Sequence, residues 1–153
     1  MSMASFASDA RRGRSRPAIV LFASAALGVA WNVFGLERFS ATSFASRDEL
    51  IAQGLSAAQA TLYVGLPGWM TAAFAIGVLG GLAGSILMLM RRRWAVPVLS
   101  VSLAAYVALF TGDWVHGVFA AFPGQFAILS TVVAIAAGLL AVAVHARRHG
   151  LLR

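Results

Sequence analysis

Of the chain's 153 residues, 60% are hydrophobic and 11% charged, against roughly 45–50% apolar and 25% charged in ordinary soluble domains. That is too little charge to cover a soluble surface, and the length allows one domain at most. All twelve basic residues are arginine, against five acids; the apolar excess turns this basicity away from nucleic acid and towards a membrane surface. The absence of cysteine excludes disulfides, thiolate metal sites and a cysteine nucleophile.

The chain opens on a basic tail, residues 1–16, whose Met1–Asp9 part is small and polar and expected to be disordered. Four stretches then reach the roughly 20 apolar residues that a crossing needs: about 17–35, 66–90, 94–112 and 125–146. The expected fold is all-α, an integral-membrane four-helix bundle over 17–146, with a second basic tail at 147–153. In span one, Pro17 suits a first-turn position, and Ser24 and Asn32 are the only polar side chains before Gly35. Basic residues before an apolar run also describe a signal peptide, with Gly28-Val29-Ala30 as its small-residue cleavage site. The apolar run continues through Trp31, Val33, Phe34 and Leu36, which favours a retained span.

The connection 37–65 contains two capping boxes, Ser46-Arg47-Asp48-Glu49 and Ser56-Ala57-Ala58-Gln59. They predict helices over 47–53 and 57–64, ended by Gly54 and Gly65. Leu50, Ile51, Leu55, Leu62 and Tyr63 would hold these helices on the membrane surface or over the bundle. A structured linker is the favoured reading over a binding lid. In span two, Gly77 and Gly81 form one G-x-x-x-G and Gly80 and Gly84 another, with Ala73 and Ser85 extending the first ridge. Such a face lets backbones approach closely in lipid, and its expected use is inside the bundle rather than against another copy. Arg91-Arg92-Arg93 makes a tight hairpin to span three, which has Pro97 in its first turn. The segment 113–124 reads as a short interfacial turn. Trp31, Trp69 and Trp114 at one surface and Trp94 at the other form the expected aromatic belt.

Arginine placement predicts orientation. Arg11, Arg12, Arg14 and Arg16, then Arg91–Arg93, then Arg147, Arg148 and Arg153 fall on one side, which is expected to be cytoplasmic together with both termini. The opposite side holds only Arg38 and Arg47, with Glu37, Asp48, Glu49 and Asp113.

Ionisable groups in mid-membrane usually carry function, and every Asp, Glu, Arg and His here is expected at or beyond a helix end. Proton-coupled exchange through a buried carboxylate in span one is therefore not expected. The polar candidates gather at the outer end: Asn32, about one turn inside span one, Glu37, Tyr63, Asp113 and His116. Asp113 and His116 are three apart, on one side of a helical turn. They are too few to hold a metal unaided, and an interfacial ion pair or plain hydration is the favoured role. His145 and His149 are expected to cap the last helix and meet anionic lipid. No Gly-rich phosphate loop, H-E-x-x-H or G-x-S-x-G occurs.

Trp31-Asn32 and Gly35, then Tyr63, Pro67, Trp69 and Phe74, then Gly80-Gly81, Gly84, Leu89-Met90-Arg91-Arg92-Arg93-Trp94-Ala95 and Ser102-Leu103 form a distinctive set. Over about residues 31–105 this resembles a group of small four-span bacterial inner-membrane proteins that carry the automatic label "sugar transporter". The resemblance implies a four-span fold and bacterial origin, and it brings no catalytic or substrate residues. The sequence thus points to a non-enzymatic inner-membrane protein that packs with itself or a partner in the bilayer and is transport-associated, with no cofactor and no nucleic-acid partner. The alternative is a minimal oligomeric transporter of a small solute such as a sugar. A membrane enzyme or redox accessory built on Asp113 and His116 is a third and weaker reading.

Overall fold

The structure, a computed structural model, describes the backbone of residues 3–153 and the side chains of residues 17–153. The helices are α1 (Met3–Ser43), α2 (Arg47–Ala52), α3 (Ala57–Val64), α4 (Gly68–Leu89), α5 (Ala95–Val115), α6 (Val118–Ala121) and α7 (Gln125–Arg148). Four of them, α1 from Pro17 onward, α4, α5 and α7, are long and apolar enough to cross a membrane. They form a ring in which α4 packs against α1 and α5, and α7 closes the circle against α5 and α1. The short helices α2, α3 and α6 gather at one end, called the lid end below. The turn Arg91–Arg93 and the end of α7 lie at the other, the arginine end.

Close contact between small residues sets the spacing. A Cβ on Gly77 would lie 2.7 Å from the Tyr106 ring, and one on Gly84 2.5 Å from Leu99 Cγ, both on α5. A Cβ on Gly80 would meet Ser102 at 3.0 Å, and the Ser102 hydroxyl donates across this seam to the Gly77 carbonyl at 2.6 Å. Gly81 turns the other way, and a Cβ there would run into the Asn32 amide of α1. Gly77, Gly80 and Gly84 therefore serve α5 and Gly81 serves α1, so the first ridge is divided between two neighbours inside one bundle. Ala73 lies in a third contact, buried with Met70, Leu109 and Leu129.

α1 departs most from its expected bounds. It begins at Met3, so Met3–Asp9 are helical where disorder was expected, and Met1 and Ser2 lie outside the described residues. Pro17 is inside the helix rather than in its first turn. At the other end α1 runs eight residues past Gly35. Glu37 and Arg38 end an apolar run, but charge does not break a helix. Phe39 is buried edge-on against Phe74, centroids 5.2 Å apart, and the Ser40 and Thr42 hydroxyls bond back to the Glu37 and Arg38 carbonyls.

Both capping boxes form as reciprocal pairs. Gly54 adopts φ +102 beyond α2, a conformation that favours glycine. Glu49 accepts from the Ser46 backbone N–H at 2.6 Å and its own N–H bonds the Ser46 hydroxyl. The backbone bond, then the side-chain bond, hold its carboxyl below the ordinary value of 4.5. A lowered folded pKa contributes stability that is complete above the unfolded value and is lost as pH falls through the folded one. Amide exchange in α2 should therefore accelerate below about pH 4.5, and Glu49→Gln should remove that pH dependence. Exchange independent of pH in the wild type, after correction for intrinsic rates, would contradict this.

The arginine end is more than a basic tail. α7 closes with a paired C-terminal motif: Leu151 N–H bonds the Ala146 carbonyl at 2.9 Å, Gly150 N–H bonds Arg147 at 3.1 Å, and Gly150 has φ +67. This reversal turns residues 151–153 back onto the α4–α5 turn. There Arg93 N–H bonds the Arg153 carbonyl at 2.9 Å, and Arg153 N–H bonds Arg91 at 2.7 Å. Leu152 is buried in a cluster with Leu21, Met88, Val96 and Leu99.

Candidate functional site: a cavity beneath the lid

At the arginine end α1 and α7 are tightly joined. Leu21 and Ala25 of α1 share a cluster with Leu139 and Ala143 of α7, and a Cβ on Gly28 would lie 2.9 Å from Leu139. Towards the lid the two helices part. The gap widens into a cavity of about 1170 Å³, somewhat above the range of roughly 300–1,000 Å³ common for ligand pockets. Its walls are Trp31, Phe34 and Arg38 of α1, Phe74 of α4, Tyr106 and Asp113 of α5, and Ile128, Thr131 and Val132 of α7. Leu50, Gln53, Leu55 and Tyr63, from α2, α3 and the connection between them, form the roof.

The roof is tethered on several sides. Arg47 Nε donates to Thr61 Oγ1 at 2.9 Å, joining α2 to α3. Gln53 reaches the Ala41 carbonyl of α1 at 3.4 Å, and Gln59 donates to the Ala121 carbonyl of α6 at 2.8 Å. The segment expected to be a linker thus covers a cavity, which its capping boxes alone did not reveal.

The lining residues Trp31, Phe34 and Arg38 share one face of α1, and Ile128 and Thr131 share one face of α7. Phe34, Arg38, Ile128 and Thr131 are also exposed, so the cavity opens sideways between these helices, towards lipid. No lining residue comes from the arginine half. Below the floor lies a much smaller void, of about 10 Å³, beside Asn32 and Gly81.

Helix register gives the depth. Asn32 meets Gly81, Gly35 meets Val78 and Phe39 meets Phe74. Arg38 is thus level with Phe74 and Ala75, some six residues, or roughly 9 Å, below the start of α4. This corrects the expectation that all charge lies at helix ends. Glu37 and Arg38 sit inside α1, at a level where α4, α5 and α7 are apolar; Asp113 keeps the expected place at a helix end, in the last turn of α5, but is 3% exposed. Charge was read from α1 alone, and the slide of α1 against α4 moves its charges inward. Among the described residues the only ion pair is Arg47–Asp48, at 3.8 Å and exposed, so Arg38 has no acidic partner there.

The expected outer cluster separates. Asn32 is mid-bundle, not near the mouth; its Nδ2 donates to the Gly28 carbonyl at 2.7 Å and its Oδ1 packs on Gly81. It was misplaced because α1 is longer than its apolar run. Glu37 is exposed and off the cavity wall. Tyr63 lines the roof, edge-on to Phe122 at 6.4 Å. Asp113 lines the cavity and accepts from Gln125 Nε2 at 3.1 Å. His116 turns away, with Nδ1 3.0 Å from the Gly112 carbonyl and its ring on Trp69. The structure thus pairs Asp113 with Gln125 rather than His116, and among the described residues no three His, Asp or Glu converge as metal ligands. Trp31 is likewise a cavity-wall residue, not a belt anchor, while Trp69, Trp94 and Trp114 are exposed near helix ends. At the arginine end, His145 and His149 stack with centroids 4.2 Å apart in the basic last turn of α7.

On the cavity wall two buried polar atoms have no protein partner among the described residues: Asp113 Oδ1 and the Tyr106 hydroxyl, each on a residue 3% exposed. Among the described residues no fully enclosed side-chain N or O lacks a partner. Both atoms therefore keep contact with the space they line. Arg38, Gln125 and Tyr106 were not picked out from sequence; the i, i+3, i+7 stripe Trp31–Phe34–Arg38 was the available signal for Arg38. No known protein family, curated protein or solved structure matches this chain.

Proposed function

We propose that this is a multi-pass protein of a bacterial cytoplasmic membrane, with both termini inside, that acts non-enzymatically by holding a ligand in the cavity beneath its lid, as a binding or transport-associated component. The carrying observation is the cavity itself: large, mostly apolar, roofed by tethered helices and blind towards the arginine end. A blind cavity suits binding from the lid side better than continuous passage, which weighs against a one-copy sugar pathway. Orientation rests on the arginine asymmetry. Retention of span one is supported by the burial of Leu21 and Ala25 in the core, since cleavage near Ala30 would remove both.

Two measurements test this reading. Reporter fusions at Gly54 and at the C-terminus should report opposite sides of the membrane, and the same side for both would overturn the topology. For binding, thermal shifts of the purified protein would be recorded against metal ions, small sugars and membrane lipids. At least one class should stabilise the wild type, and Thr131→Trp, which fills the mouth from an exposed position, should abolish the shift. No shift with any class would sink the binding role.

A further inference from the structure

We propose that the ligand is a phospholipid with an amino head group, taken sideways from the lid-side leaflet through the α1–α7 cleft, its phosphate on Arg38 and its ammonium on Asp113. This rests on the binding role above and names its ligand class.

The opening selects the route. From Trp31 to Arg38 the cavity-facing wall of α1 rises about 10 Å, a large part of one leaflet's roughly 15 Å of hydrocarbon. Its aromatic and aliphatic lining meets acyl chains without an aqueous step. A sugar would leave its hydroxyls against Trp31, Phe34, Phe74 and Val132, a poor exchange for water.

The charges select the head group. Arg38 stands below the lid-end surface with no acidic partner among the described residues. A guanidinium at such a depth is costly unless paired or drawn to the surface, and a phosphate accepts its forked donors in two parallel bonds. Glu37, its neighbour, lies off the cavity wall. Asp113 faces the same cavity with Oδ1 free, while Gln125 holds Oδ2. A ligand that satisfies both residues carries an anion and a hydrogen-bond-donating cation on one head. Ethanolamine phospholipids do. A choline head has no N–H to donate, and a phosphate monoester lipid lacks the cation.

The test is native mass spectrometry of the full chain in detergent, with equal amounts of phosphatidylethanolamine and phosphatidylcholine of identical chains. The wild type should retain the ethanolamine lipid about tenfold over the choline lipid, the worth of one charge-assisted bond. Asp113→Asn, which still accepts from Gln125, should erase the preference. Arg38→Gln should lower retention of both lipids, with partial rescue by Arg38→Lys; because Arg38 is exposed, this pair keeps the proposal testable if Asp113→Asn does not fold. Equal retention of the two lipids by the wild type, or a preference unchanged in Asp113→Asn, overturns the assignment. Phosphoethanolamine without chains binding as well as the lipid would place the source in solution and overturn the sideways route. Binding of a sugar or metal without lipid would refute this ligand and leave the binding role standing; binding of nothing would end both.

Discussion

Gly81→Leu should destabilise the bundle by about 3 kcal/mol or more, measured as thermal unfolding in detergent. The site has no slack. A Cβ at Gly81 already runs into the Asn32 amide, and Asn32 is fixed from behind by its bond to the Gly28 carbonyl. A side chain there pushes α1 off α4 at mid-bundle, where lipid offers no hydrophobic gain in return and close packing supplies much of the association. Gly138→Leu is the control, because a Cβ at Gly138 meets nothing within 4 Å; it should be neutral or gain up to about 1 kcal/mol of helix propensity. Leu89→Ile, at a lipid-facing position, should stay within about 0.5 kcal/mol. The cause can be isolated further. Gly81→Ala should lose much of its cost in an Asn32→Ala background, because contacting residues couple and distant ones add. Equal losses at Gly81 and Gly138 would refute a close-packed glycine face.

That contact also shows what could be read from the sequence. Each span was legible because hydropathy is a property of one helix, and α4, α5 and α7 begin and end within three residues of their expected bounds. The capping boxes were legible because their bonds are local. Register between helices is not local. Whether Asn32 meets Gly81 or a residue one turn away depends on packing along the whole seam, and that choice carries Arg38 inward and Asn32 to mid-bundle. The cavity is harder still, since it arises where α1 and α7 part, and no residue pattern in either helix marks the point of divergence. Asp113 and His116 illustrate the limit. Spacing of three put them on one side of a turn, yet His116 follows α5's last turn back to the Gly112 carbonyl, and the partner of Asp113 comes from α7, twelve residues on.

Removal of Leu151–Arg153 should cost about 6 kcal/mol, from one buried leucine and four hydrogen bonds, one of them the Leu151 N–H bond that closes α7. Leu152 alone should account for about 2–3 kcal/mol on replacement by alanine. It closes the cluster of Leu21, Met88, Val96 and Leu99 at the one end of the core where chain loss would admit water. The other three bonds act on the α4–α5 turn: Arg93 N–H to Arg153, Arg153 N–H to Arg91, and Arg91 Nε to the Leu151 carbonyl at 2.9 Å. They bear on an unusual residue. Arg91 has φ +56, a left-handed conformation that costs a residue with a side chain roughly 1–2 kcal/mol. A glycine would relieve that cost and forfeit the side-chain bond, worth about 1 kcal/mol. Arg91→Gly should therefore be close to neutral, whereas Arg91→Ala keeps the strain, loses the bond and should be the less stable of the two. Arg153→Ala keeps both backbone bonds and should change stability by less than about 0.5 kcal/mol. Thermal unfolding of the truncated chain and the four substituted ones, with amide exchange at residues 88–93, separates these effects. A truncated chain as stable as the full one, with unchanged protection of that turn, would show that the last three residues only rest on the bundle.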